Sequence, residues 1–138
     1  MEVRYKDYLI SSDKSLLDLD AIKSFLANSY WAKNRPPEVI EQSIERSLCF
    51  GVYHDRKQIG FARVVTDWAT IYWIGDVFVL EEYRGLGIGK KLIDTITGYE
   101  ELKFLKGILA TADAHQLYEQ FGFVREPDKF MVRRTNGR

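Results

Sequence analysis

The sequence has one cysteine, Cys49, and two histidines, His54 and His115, in 138 residues. A single cysteine forms no internal disulfide, which excludes a stapled secreted scaffold. So few soft ligands also argue against a structural zinc site, and no metal is expected. Charge of one sign is not in excess: 20 Lys and Arg balance 20 Asp and Glu. Neither nucleic acid nor a membrane surface is therefore an expected partner, because both are gripped by a positive excess. No uncharged apolar run reaches the about 18 residues of a spanning helix. Met1–Lys6 lacks the apolar stretch of a signal peptide, so a cytoplasmic location is the expectation. Repeats, low-complexity tracts and Gly/Ser linkers are absent, and residues 1–138 read as one domain. What is present is apolar: hydrophobic residues make up 46% and aromatics 14%, enough for a core and too much for a disordered chain.

The patterning gives strands and helices in turn. Residues 3–10 read as a first strand. Asp18 or Asp20 caps a helix that runs to about Asn28, with Leu19, Ile22, Phe25 and Leu26 on one face. Tyr30 and Trp31 fall in a loop, and Pro36-Pro37 opens a second helix. Strands at 48–54 and 58–66 flank a polar hairpin turn. Ile71 to Leu80 is almost wholly apolar, so it is central in its sheet. One acid, Asp76, interrupts it. A helix follows from Ile88, then a strand at Lys106–Ala110. Asp113, with Gln116 three residues on, predicts a capping box on a further helix that ends at Phe121 before Gly122. A last strand is expected at about 130–134. The order is β-α-α-β-β-β-α-β-α-β, antiparallel first and βαβ later, which is an α+β domain.

Between the central strand and its helix lies Arg84-Gly85-Leu86-Gly87-Ile88-Gly89. Three glycines between a strand and a helix make a phosphate cradle. The backbone can approach closely, and the helix start offers unpaired N–H groups with a partial positive charge. Arg84, Lys90 and Lys91 add charge. A P-loop is a poor match, because the position five before Gly89 is Arg84 and no hydroxyl follows Lys90 to reach magnesium. The dinucleotide fingerprint is also poor. Its third glycine would be one residue early, and the turn follows about 80 residues rather than a first strand.

Arg84-x-x-Gly87-x-Gly89 resembles the R/Q-x-x-G-x-G/A signature of the GNAT superfamily of acyl-CoA-dependent N-acetyltransferases. Ala114, Leu117-Tyr118 and Gly122-Phe123 are similar to that family's second motif. The resemblance is strong over about 48–126 and weak before it. It implies a mixed, mostly antiparallel sheet with helices on both faces. Two parallel strands, about 71–80 and 106–111, would splay to hold acetyl-CoA as cosubstrate. The pyrophosphate would lie on Gly85, Leu86, Gly87, Ile88, Gly89 and Lys90, with Arg84 nearby. The pantetheine arm would pair with the backbone of Phe78 and Val79. Thr111 stands where many members carry asparagine, and a hydroxyl replaces only part of an amide's bonding.

The expected reaction is acetyl transfer to a primary amine by direct attack in a ternary complex. Tyr118 is the candidate catalytic acid. A phenol near pKa 10 stays protonated at neutral pH and can protonate the leaving thiolate, and the resemblance puts a tyrosine there for this role. Asp76, on one strand face with Ile74 and Phe78, is the candidate base, because an acid among apolar neighbours should have a raised pKa. Asp67 is a weaker candidate, and the Val79 backbone N–H is the oxyanion donor by resemblance. Cys49, in an apolar strand with no adjacent base, reads as structural. His115 reads as a surface helix residue.

Tyr30 and Trp31 are the candidate acceptor-binding residues, and Trp68, Tyr72 and Trp73 are candidates for the same cleft. Arg133, Arg134 and Arg138 form a small basic tail. The acceptor is a small-molecule or peptide amine that the sequence does not name. Dimers are common in the resembled family, so a homodimer is one assembly to test. The alternative function is an inactive acyl-CoA-binding module that acts as a sensor or partner domain.

Overall fold

The computed structural model describes residues 1–136. Six strands form one sheet in the order of the chain: β1 (Glu2–Tyr5), β2 (Tyr8–Ser11), β3 (Leu48–His54), β4 (Lys57–Thr66), β5 (Ile71–Val79) and β6 (Lys106–Leu109). Every neighbouring pair is antiparallel except β5 and β6, which are parallel. Among the described residues four α-helices complete the fold: α1 (Leu19–Ala27), α2 (Pro37–Glu45), α3 (Ile88–Thr97) and α4 (His115–Glu119). No helix among the described residues is long and apolar enough to cross a membrane.

Local chemistry explains the boundaries. Asp18 caps α1, its carboxylate accepting from the Ala21 N–H at 3.1 Å. Pro37 takes the first position of α2, where its missing N–H costs nothing. Asp55 and Arg56 both adopt positive φ, 49° and 71°, the mirror-image turn that matches the twist of β3 and β4.

The sheet alternation sends side chains to two cores. Phe50, Val52, Ala62, Val64, Tyr72 and Ile74 pack against Ile88, Leu92, Ile93 and Ile96 of α3. On the other face Cys49, Phe61 and Phe78 meet Ile22 and Leu26 of α1 and Ile40 and Ile44 of α2. Each large apolar side chain buried this way stabilises the fold by about 1.5–3 kcal/mol.

Three expectations are corrected. Residues 3–10 are not one strand: Lys6, at φ 54°, turns the chain into the β1–β2 hairpin. The predicted capping box does not form. Ala114, not Asp113, is the N-cap of α4, and the Thr111 hydroxyl accepts from the Ala114 N–H at 3.0 Å. Residues 130–134 make no strand; instead Phe130 stacks on Trp73 with ring centroids 6.0 Å apart. Arg133 and Arg134 are exposed, and Arg138 lies outside the described residues. Gly122 takes the left-handed conformation expected after α4, at φ 88°.

Candidate active site

β6 pairs with β5 only from Ile71↔Lys106 to Ile74↔Leu109. Beyond Ile74, β5 runs on to Val79 with its β6 side unpaired, and a cleft opens between the strands. A bulge sits at the same place. Phe61 faces Phe78 and Arg63 faces Gly75, so Asp76 and Val77 together oppose Ala62. Asp76 absorbs the extra residue in a left-handed conformation, at φ 53°. At the end of β5 the Leu80 N–H bonds back to the Ile59 carbonyl at 2.8 Å. Strand alternation then aims the N–H and C=O of Val79 the opposite way, into the cleft. Arg84 Nε donates to that carbonyl at 3.1 Å.

The glycine turn closes the far end of the cleft. Gly85 and Gly87 have φ of 78° and 82°, a region that side chains rarely adopt. Gly87 is the N-cap of α3, and the first helical bond runs from the Lys91 N–H to its carbonyl. The N–H groups of Ile88, Gly89 and Lys90 are left without helical partners. They border a groove of about 240 Å³ lined by Val79, Arg84, Gly85, Gly87, Lys90 and, from α4, Leu117. The β1–β2 turn braces this loop from outside. Tyr5 Oη and Lys6 Nζ each donate to the Leu86 carbonyl at 3.3 Å.

Tyr118 projects from α4 and is 8% exposed. Its ring meets Phe123 edge-on. Its hydroxyl makes no hydrogen bond among the described residues. Burial pushes the phenol up to about 12, and Asp113 and Tyr30 add to the shift.

Asp76 departs most from expectation. The bulge places it on the Phe78 face but sends Ile74 to the opposite core. Its carboxylate is buried and fully engaged. Arg35 Nη1 and Arg63 Nε each donate to Oδ2 at 2.8 Å, and Trp31 Nε1 donates to Oδ1 at 3.0 Å. Burial alone would raise this carboxyl, but Arg63 and then Arg35 outweigh it and hold it below its ordinary value. The raised pKa that would make Asp76 a base is thus corrected: the sequence showed its apolar strand neighbours, not the two guanidinium groups. Arg35 and Arg63 were missed. The available signal was Arg63 itself, a charge inside the apolar run of β4 that needed an anion in a neighbouring strand.

The other candidates separate. Tyr30 and Trp31 are in contact, with centroids 5.1 Å apart, and both are exposed. Phe25 links Trp31 to the cleft strand by stacking on Phe78 at 4.0 Å. Asp67 is held low by bonds from the hydroxyl and N–H of Thr70 and the N–H groups of Ala69 and Ile71; it fastens the β4–β5 turn. Tyr72 belongs to the α3 core and packs over Gly107, Trp73 stacks on Phe130, and Trp68 is exposed in the turn. Cys49 is buried with its thiol toward the carbonyls of Ile44 and Ser47, and burial pushes it up to about 11. His115 is the first residue of α4.

Residues 45–125 match the model of the acetyltransferase (GNAT) domain. A crystal structure assigned to the GNAT acetyltransferases, from Xanthomonas campestris pv. campestris, is 42% identical with a TM-score of 0.89, covering 94% of both chains. A Gibberella zeae protein provisionally named an acetyltransferase is 29% identical over 136 residues, covering 81% of this chain and 76% of its own. A GNAT family acetyltransferase from Elizabethkingia anophelis, crystallised with acetyl-CoA bound, shares the fold with a TM-score of 0.65 at 17% identity, over 85% of this chain and 76% of that one.

Proposed function

The chain belongs to the GNAT family of acetyltransferases, and from that premise we propose that it transfers an acetyl group from acetyl-CoA to a primary amine by direct attack, with both substrates bound at once and the whole chain acting as one catalytic domain. The observation that carries this reading is the phosphate cradle at α3 opening into one groove with the unpaired edge of β5 at Val79; Tyr118, next in α4 to Leu117 of that groove, is assigned as the acid. The ligand that fits is long and ends in phosphates. The left-handed glycines and open N–H groups of residues 85–90 suit a pyrophosphate, with Arg84 and Lys90 beside it. The edge at Phe78 and Val79 suits an amide-bearing arm laid down like an added strand. The E. anophelis structure, which holds acetyl-CoA on the same fold, supports that choice.

When bound, acetyl-CoA supplies the acetyl group as a thioester. The Val79 N–H is aimed where the carbonyl oxygen gains charge and holds it there. Tyr118 gives its proton to the departing sulfur; at about 12 it is still protonated at neutral pH. The proton lost by the amine goes to water. Asp76 does not take it, because a carboxylate held by two guanidinium groups is a weak base. Asp76 instead holds Trp31 and Arg35 over the acceptor side of the cleft, where Tyr30 and Trp31 form the wall.

A thermal-shift series with acetyl-CoA, CoA, NAD and ATP tests the ligand. At 100 times its dissociation constant a ligand stabilises by about 2.7 kcal/mol, a shift of several degrees. Shifts with the CoA compounds, followed by thiol release in an amine screen, are expected. A response to NAD or ATP alone overturns the reading.

A further inference from the structure

The ion cluster around Asp76 is not neutral. Two guanidinium groups face one carboxylate, which leaves one positive charge in a site where Arg35, Arg63 and Asp76 are 13%, 15% and 3% exposed. No second carboxylate lies within 4 Å of either arginine among the described residues. An uncompensated charge at such burial is costly unless an anion joins it. The two arginines are not equally committed. Arg63 makes two bonds inside the protein, Nε to Asp76 and Nη1 to the Ser47 hydroxyl at 3.2 Å. Arg35 spends Nη1 on Asp76 and leaves most of its five donors unused among the described residues. Arg35 also lines a small surface pocket with Tyr30, Trp31, Lys33, Asn34 and Thr135. The pocket therefore holds a second cation in Lys33, an amide in Asn34 and two aromatic walls, with no acid among its lining residues.

We infer that this pocket receives a compact oxyanion carried by the amine acceptor, a carboxylate or a phosphate, gripped by Arg35. The inference rests on the acetyl-transfer reading only in calling the occupant an acceptor. Tyr30 and Trp31 line the pocket, and Trp31 Nε1 and Arg35 Nη1 both donate to Asp76 on β5, so an acceptor anchored at Arg35 lies against the strand that carries Val79. The guanidinium fork matches a carboxylate or phosphate in two parallel hydrogen bonds, which fixes direction as well as charge. Asp76 then has a defined task. It fixes Arg35 through Nη1 and leaves the other guanidinium N–H groups without a protein partner among the described residues.

Matched amines test this on the full chain: phenylalanine against phenylalaninamide, and O-phosphoethanolamine against ethanolamine. Binding is read by NMR titration with and without CoA, and thiol release from acetyl-CoA is followed separately. At least one anionic member should bind about tenfold or more tighter than its neutral partner, the factor a charge-assisted pair supplies. Which pair responds separates carboxylate from phosphate. The preference should vanish in Arg35→Gln. If that variant does not fold, Arg35→Lys keeps the charge beside Asp76 but loses the fork, and should cut the preference about threefold or more. Equal binding within both pairs, tighter binding of the neutral members, or a preference that survives at Arg35 overturns the inference. Absence of thiol release with every amine counts against acetyl transfer alone, because the binding comparison stands without it.

Discussion

Trp31 and Asp76 stand 45 residues apart in the chain, and the indole Nε1 of the first donates to Oδ1 of the second at 3.0 Å. The bond ties the α1–α2 loop to the bulge of β5, and in the proposed reaction it couples the acceptor wall to the strand that would border the acetyl group. Trp31→Phe keeps the ring against Phe25 and Tyr30 and removes this one bond. It should cost about 1.5–3 kcal/mol by urea unfolding, raise KM for the amine, and leave acetyl-CoA affinity unchanged. An unchanged amine KM would remove Trp31 from the acceptor wall.

Asp76→Asn leaves Arg35 and Arg63 facing each other without an anion. A loss of about 3 kcal/mol is expected for the removal of one partner from a buried cluster. The pH dependence follows from the same pair. The folded carboxyl lies below its ordinary value, so its contribution is present above that value and is lost as pH falls through the folded one. Urea midpoints measured from pH 6 down to pH 3 should fall for the native chain, and fall less steeply for Asp76→Asn. Parallel curves would mean that the two arginines do not govern this acid.

Gly87 and Gly89 should respond differently to substitution. A Cβ at Gly87 would need a left-handed backbone and would run into the Tyr5 hydroxyl, so Gly87→Ala should lose about 1–2 kcal/mol from the backbone alone. A Cβ at Gly89 meets only Leu117, at 3.9 Å. Gly89→Glu should therefore fold normally while its carboxylate occupies the phosphate position, abolishing the thermal shift with CoA. A retained shift would place the pyrophosphate elsewhere.

Tyr118→Phe removes the proton and keeps the packing against Phe123. Turnover should drop by about a hundredfold, within the range of general acid catalysis, with CoA affinity unchanged. In the native enzyme the phenol sits at about 12, so no loss of activity below about pH 11 should trace to it. Full activity in the variant would eliminate Tyr118 as the acid.

Cys49→Ala should be active within about twofold, because the thiol is buried, protonated at neutral pH and turned toward backbone carbonyls. Labelling of the folded chain by iodoacetamide at pH 8 should be slow, and fast only in urea. Inactivation by the substitution would revive a covalent route.

The elements that carry the cofactor cleft were legible because they rest on local signals. An apolar run made β5 central, glycines marked the turn, and the i, i+4 spacing of Ile88, Leu92 and Ile96 defined α3. Asp18 and Pro37 marked their helix starts by capping chemistry that acts within one turn. What escaped depended on partners far along the chain. Strict alternation put Ile74, Asp76 and Phe78 on one face, but the bulge opposite Ala62 inserts a residue and inverts the face between Ile74 and Asp76. Strand spacing within β5 carries no trace of that insertion. Arg35, in a polar loop, gave no sign that it reaches a strand 41 residues later. The capping box at Asp113 failed because Thr111 supplied an alternative hydroxyl two residues earlier.

The brace that Tyr5 and Lys6 place on the Leu86 carbonyl links two regions of unequal strength. β1 is an edge strand of four residues, paired on one side only, and so belongs to the parts of the sheet that fray first. Its turn nonetheless supports the loop proposed to cradle the phosphates. Occupancy of that loop should therefore be felt as slower hydrogen exchange at the amides of β1 and β2, so that loading of the cosubstrate can be followed from the opposite end of the sheet.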